Sequence, residues 1–339
     1  SYHALNTSGT QILNFTNTGT STIQPTARVE YVYGNSAWQD QLTQIKTYSV
    51  SAAGVQTLIN TQTMAYDTMG NPTTYLGKTL SWEGKQLTGV TSGTGSSANT
   101  IAYAYDENGL RTQKTVTVGN GTPVTTNYYY NGSVLMAMVT GSGSTAIHQL
   151  FSYDASGSVV SVDYSSDGGS TFTTYYYLRN AQNDVISLID STGATVVQYT
   201  YDSWGKLVAT TGTLTTTLGA DNPFRYRGYV CDTETGWYYL QSRYYNPGTC
   251  RFISADVLLS TGQGVLGHNA YAYCLNNPIN MIDVGGGEAV SIWLSSMWFL
   301  TLVDGPLPIG DIVYGAVALI LLVVCAVEAA QVITTNATN

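Results

Sequence analysis

The chain has 339 residues, a formal net charge of −9, and only 10% charged positions, against roughly 25% in an average soluble domain. Gly (35), Tyr (27), Ser and Thr fill the gap, a composition of strands and turns rather than of disorder. The acidic balance and the lack of a basic stripe argue against nucleic acid as a partner, because a phosphate backbone would be repelled.

Ser1 is preceded by neither a Met nor a charged-then-apolar leader, so the start reads as a chain without a signal peptide, processed or continuing something longer. From about Tyr33 an aromatic-led phrase recurs. Its copies are AYDTMGN at 65–71, AYDENGL at 104–110, SYDASGS at 152–158 and TYDSWGK at 200–206. Asp caps a turn with its carboxylate and Gly accepts the positive φ that the turn requires, so each copy predicts a β-hairpin tip. The aromatics Trp82, Tyr105, Tyr130, Tyr153, Tyr177, Tyr201 and Tyr226 stand at steps of 23, 25, 23, 24, 24 and 25 residues. A fixed period of this size marks an array whose unit must stack on the next to bury its apolar face.

The flanks alternate apolar and polar, as in TIAYAYDENGLRTQKTVTV at 100–118, the pattern of half-buried strands. Clusters of Gly, Ser and Thr at 91–97, 141–145 and 165–170 read as loop tips. The tyrosine runs 128–130 and 175–177 place alternate rings on opposite sheet faces, where stacking between hairpins is the reading ahead of sugar binding. Cys231, Cys250, Cys274 and Cys325 contain no CxxC pair and no His stands at zinc-ligand spacing, which argues against a metal site. Spacing alone leaves open whether Cys231 pairs with Cys250. His268 has no Ser or Cys nucleophile context. The glycines at 285–287 lack the setting and the Lys of a phosphate loop and read as a flexible joint. No cofactor is expected.

No Lys or Arg follows Arg251. That span holds two apolar runs, 289–303 and 312–327, the second opening on Ile312 and closing on Val327 between Asp311 and Glu328. As a helix the second run would be roughly 24 Å long, short of the ~30 Å hydrocarbon core, and it has no basic flank to orient it. Burial against protein and burial in lipid both stay open.

The repeat phrase resembles the YD repeat of the Rhs family. Residues 222–256, NPFRYRGYVCDTETGWYYLQSRYYNPGTCRFISAD, and 267–283, GHNAYAYCLNNPINMID, are similar to the Rhs core signature, and the resemblance extends up to Gly286. It implies an all-β fold, a wound antiparallel YD-repeat β-sheet shell over 1–220 with a core plug over 221–286 and a hydrophobic, helical C-terminal segment over 287–339. It also implies a secreted or cell-surface carrier of the polymorphic-toxin type. The shell's partners would then be its own C-terminal segment or neighbouring subunits, with membrane contact through 312–327. The competing expectation is an extracellular fibre or adhesion module assembling through repeats and tail. Seven or eight hairpins are few for a closed cocoon, so a fragment or a smaller assembling unit is expected.

Rhs proteins and the related C components of toxin complexes cut themselves after this core with two aspartates, and by resemblance Asp256 and Asp283 are the matching pair. Held close, two carboxylates share a proton, so one serves as acid while the other activates water. Arg251, five residues before Asp256, would orient one of them through a bidentate pair. The match is incomplete. Each family aspartate opens Asp-Pro-x-Gly, whereas this chain has Asp256-Val257-Leu258-Leu259 and Asp283-Val284-Gly285-Gly286, with Gly287 where a large apolar residue precedes the expected cut before Glu288. Less anchoring means less of the positioning that such a reaction depends on. The alternative is structural, the two aspartates capping turns and pairing with Arg243 or Arg251. Self-cleavage is the most that is expected, with no turnover enzyme.

Overall fold

The computed structural model describes residues 4–5, 10–17, 23–256, 269–283, 285–287 and 289–291. The run 312–327, Cys325, His268 and most of the run 289–303 lie outside the described residues. Fourteen strands, from Ala65–Tyr66 to Leu207–Thr211, form one antiparallel meander in chain order, a strip of seven hairpins. A five-stranded sheet precedes it and ends on Gln56–Thr63.

The predicted tips share one construction. At Asp106 the carboxylate Oδ1 accepts the N–H groups of Asn108 and Leu110 at 2.9 and 2.8 Å, and the Gly109 N–H donates to the Asp106 carbonyl at 3.1 Å. Gly109 has φ +81°, a conformation that L side chains resist. Asp67, Asp154 and Asp202 repeat this geometry at their own tips, and Asp190 repeats it on the opposite rim. The anchor aromatic stands where the ladder slips by one residue, at Tyr66, Trp82, Tyr105, Tyr130, Tyr153 and Tyr201. Such a bulge turns the side chain out of the regular alternation. Its polar end then reaches the preceding hairpin: Tyr105 donates to the Leu87 carbonyl at 2.7 Å, Tyr130 to Arg111 at 3.1 Å, Tyr201 to Val185 at 2.9 Å and the Trp82 indole to Pro72 at 2.7 Å.

Two of the counted anchors differ. Tyr177 precedes its tip by two residues, and the bulge lies at Arg179. Asn180 there does the work of Asp, accepting from Gln182 and Asp184 at 2.9 Å, and Asn183 takes the glycine conformation at φ +67°. Tyr226 opens a 3-10 turn, Tyr226–Gly228, in the plug and not a hairpin. One four-residue α-helix, Leu218–Asp221, lies between the strip and the plug.

One face of the strip carries the core. Tyr128 and Tyr177 are 5% and 7% exposed while their neighbours Tyr129 and Tyr176 are 52% and 44% exposed, the alternation that the tyrosine runs predicted. Against the inward face packs a four-stranded meander of Val230–Asp232, Trp237–Tyr239, Tyr244–Asn246 and Arg251–Phe252. Edge-on ring contacts join the two layers at Tyr75 and Trp237 (5.7 Å) and at Phe151 and Phe224 (4.8 Å), each adding ~0.5–1.5 kcal/mol beyond area burial. At the centre, the Arg111 guanidinium of the strip meets Asp232 of the plug at 2.6 Å, both fully buried. Lys114 joins Asp232 at 3.3 Å and Glu234 at 2.9 Å. Cys231, Cys250 and Cys274 are free thiols.

Candidate functional site

The two aspartates arrive from separate runs of the plug. Beyond the strand Arg251–Phe252, the chain leading to Asp256 is fixed by the Phe252 N–H on the Tyr271 carbonyl at 3.0 Å and the Asp256 N–H on the Ala270 carbonyl at 2.8 Å. Lys85, whose pKa burial lowers, donates to the Ala255 carbonyl at 3.0 Å. Asp283 ends the strand Met281–Asp283. The Tyr229 hydroxyl donates to its carbonyl at 2.7 Å and accepts from its N–H at 3.3 Å.

Arg243 lies between the carboxylates, one terminal nitrogen 2.8 Å from Asp256 Oδ2 and 3.8 Å from Asp283 Oδ2. Its other nitrogens donate to the Ala270 carbonyl at 3.1 Å and to the Gly286 carbonyl, and its guanidinium carbon lies 3.6 Å from the Phe252 ring centre. Burial lowers the Arg243 pKa from its ordinary value, with Asp256 and Asp283 opposing that shift. Arg243, named beforehand only in the structural alternative, reaches both aspartates, and Arg251, expected to orient one of them, is engaged elsewhere. Arg251 donates to the Tyr33 hydroxyl at 3.0 Å and the Asp40 carbonyl at 2.6 Å, with Tyr271 4.9 Å from its guanidinium. Arg243 entered the sequence reading only as a structural partner; its distance along the chain from both aspartates left no local signal.

Gly285 and Gly286 are bound rather than loose. Asp283 Oδ1 accepts the Gly286 N–H at 2.6 Å, and the Ser242 hydroxyl donates to the Gly285 carbonyl at 2.6 Å. Gly286 has φ +77°, and a Cβ there would lie 2.8 Å from Ser242 Oγ and 2.9 Å from the Leu240 carbonyl. Only glycine fits at 286, so Gly285 and Gly286 are held in place, against the flexible joint expected over 285–287. Gly287 is exposed. The site is therefore two carboxylates joined by a guanidinium that also polarises a backbone carbonyl, next to an exposed peptide. Among the described residues no group of three or more His, Cys, Asp or Glu side chains could hold a metal ion. No described helix is long and apolar enough to cross a membrane.

Residues 98–279 match the family model described as Teneurin YD-shell. The chain is 35% identical over 266 residues to the tRNA nuclease WapA of Bacillus subtilis (strain 168), which covers 76% of this chain and 11% of that protein. It is 39% identical over 231 residues to the tRNA(Glu)-specific nuclease WapA of Bacillus subtilis subsp. natto, covering 68% and 9%. Among solved structures it is similar to TcdB2-TccC3-Cdc42, at TM-score 0.58 and 18% identity over 84% of this chain and 15% of that one. It is also similar to the Photorhabdus luminescens Tc holotoxin pore carrying the TccC3-D651A mutation, at TM-score 0.57 and 20% identity over 77% and 13%. The structural likeness is one of fold, and the chain spans about a tenth of the length of these WapA proteins.

Proposed function

Because the chain belongs to the Rhs/YD-repeat family of β-shell proteins related to toxins, we propose that it forms part of a secreted or surface-exposed carrier shell that severs its own chain after the plug. The observation that carries this reading is Arg243, which joins Asp256 to Asp283 and holds the Gly286 carbonyl. In the proposed reaction, water adds to a backbone carbonyl beside this group, near the Gly287–Glu288 bond. One aspartate, as the carboxylate, takes a proton from the water and the other, as the protonated carboxyl, delivers one to the leaving amine as the carbon–nitrogen bond breaks. Arg243 stabilises the oxyanion that develops. The shell would then hold or deliver the polypeptide beyond residue 287, including the apolar run 312–327, either enclosed, against a neighbouring subunit or at a membrane.

Intact-mass measurement on freshly purified chain tests the chemistry. The parent should give two fragments that join near residue 287, while Asp256→Asn and Asp283→Asn should each give one uncut mass with an unchanged far-UV spectrum. A single uncut mass for the parent refutes self-cleavage. Asp283 supplies the specific observation for the second reading: its Oδ1 caps the Gly286 N–H, the work of a structural turn. In that reading the chain is an extracellular structural or adhesion module that stays in one piece.

A further inference from the structure

The stretch that carries Asp256 takes its position from a part of the chain far before it. Lys85 stands in the two-residue turn between the strands Lys78–Glu83 and Gln86–Ser92. Its Nζ donates to the Met69 carbonyl at 2.5 Å and to the Ala255 carbonyl at 3.0 Å. One ammonium thus joins two successive tips of the strip to the peptide group that leads into Asp256. The Ala255 N–H donates to the Gly70 carbonyl at 3.2 Å, so both backbone groups of the residue before Asp256 are bound to the strip.

The turn that presents Lys85 is itself fixed. Asn71 is fully buried, and its Nδ2 donates to the Gly84 carbonyl at 2.8 Å and to Asp67 Oδ2 at 2.9 Å. A Cβ on Gly70 would lie 2.8 Å from Ala255 Cβ and 2.9 Å from the Tyr271 hydroxyl, which shows how closely the tip approaches the plug. Burial lowers the Lys85 pKa, Asp67 and Asp256 oppose that shift and Arg243 adds to it, which puts the ammonium within electrostatic reach of the site. Asp283 is held differently, from inside the plug, by Tyr229 and by the Gly286 N–H. The plug therefore sets one carboxylate, and the grip of the strip on the plug sets the other. A hydrogen bond from a partly exposed lysine adds little to folding, whereas moving a reacting group by about 1 Å costs about a hundredfold in rate. Loss of Lys85 should consequently be felt in the rate of cutting and not in melting.

We propose that Lys85 is a positioning residue for the self-cleavage described above, fixing Asp256 against Asp283 only when the strip has closed on the plug. The inference rests on that reaction. The full chain is made by cell-free translation and sampled for intact mass over time. Lys85→Met should cut at least about tenfold more slowly than the parent. Lys85→Arg, which keeps donors for both carbonyls, should recover most of that rate. Gln182→Met is the control, because Gln182 Nε2 also ties the strip to a plug carbonyl, that of Ile279 at 2.8 Å, remote in sequence from Asp256; it should cut at the parent's rate. Placed on an Asp283→Asn chain, which stays whole, Lys85→Met should leave the far-UV spectrum and melting midpoint unchanged, since Lys85 is partly exposed. Cutting by Lys85→Met at the parent's rate overturns the inference and leaves self-cleavage standing. Equal slowing by Gln182→Met, a marked fall in the melting midpoint, or a Lys85→Arg chain no faster than Lys85→Met also overturns it, since each reduces Lys85 to general docking of the plug. A parent that stays whole refutes self-cleavage, and this inference falls with it.

Discussion

Replacing Asp232 by alanine is expected to lower folding stability by about 3–5 kcal/mol, the usual loss when one member of a buried ion pair is removed. Its Oδ2 is 2.6 Å from Arg111 and 3.1 Å from the Tyr103 hydroxyl, and its Oδ1 is 3.3 Å from Lys114. Deleting the carboxylate strands the Arg111 guanidinium, whose Nε already lacks a partner, while Lys114 keeps Glu234. The rings of Tyr239, Tyr128 and Tyr103, at 4.5, 4.6 and 5.2 Å from the guanidinium, recover part of the loss at ~0.5–2 kcal/mol each. Urea titration should show a lower midpoint at unchanged slope. Asp232→Asn, which keeps an acceptor but no charge, should fall between alanine and the parent. Burial alone would raise the Asp232 pKa, but Arg111 and Lys114 outweigh it and the net shift is downward. A depressed carboxyl contributes its full stability above the unfolded value, about 3.9, and loses it as pH falls through the folded value. The gap between parent and Asp232→Asn should therefore hold constant from neutral pH down to about 4 and narrow only below that. An alanine variant within about 1 kcal/mol of the parent, or a gap that closes already at a pH of about 6, refutes the reasoning.

Gly205 has φ +85°, and a Cβ there would lie 2.3–2.7 Å from the Tyr226 ring, so Gly205→Ala should cost about 2–4 kcal/mol by thermal melting. Gly157→Ala, at φ +76° in open space, should cost about 1–2 kcal/mol, and equal losses at both sites would show that the plug does not press on that tip. Burial pushes the Cys231 thiol up to about 11 and Cys250 and Cys274 up to about 12. At a pH of about 8, below all three of these values, peptide mapping of the native chain should find these thiols slow to label with a reagent that modifies them in urea, and labelling of the buried Cys274 within minutes would contradict its burial. Tyr105→Phe removes the hydroxyl that donates to the Leu87 carbonyl and lies 3.1 Å from the Tyr244 hydroxyl. It should lower stability by about 1–2 kcal/mol in the same titration, and no change would mean that water replaces both partners.

Period and turn chemistry were legible because both act locally. Asp, two free residues and Gly fix a tip whatever surrounds it, and that phrase located the hairpins at Tyr66, Tyr105, Tyr153 and Tyr201. Counting aromatics went astray where spacing and motif separated. At Arg179 an Arg–Asn pair replaces Tyr–Asp, and the nearest aromatic is Tyr177, which instead faces the core with its hydroxyl 2.7 Å from Asn222 Oδ1. Tyr226 kept the step but had already left the sheet. For the candidate site, resemblance named the two aspartates and Arg251, while Arg243, the cation that reaches both, was offered only as a structural partner. Arg251 is near Asp256 in sequence and spends its charge on Tyr33, Tyr271 and the Asp40 carbonyl, while Arg243 is brought in by the turn between the strands Trp237–Tyr239 and Tyr244–Asn246. Contacts that depend on how a meander folds back have no fixed spacing to read.

The hydroxyl of each anchor tyrosine that stands at a ladder slip donates backward along the chain. Tyr105 needs the Leu87 carbonyl, Tyr130 needs Arg111 and Tyr201 needs Val185, always a strand already made. Arg179 keeps the same sense with an ion pair to Asp154 at 2.8 Å. A chain emerging N-terminus first, from a ribosome or a secretion channel, thus meets every clasp in an order in which its receiver is ready, and no hairpin must wait for one not yet delivered. The strip is assembled like a zip with one working direction, so a block to its earliest hairpins should arrest every later one, whereas truncation from the far end should leave the earlier clasps closed.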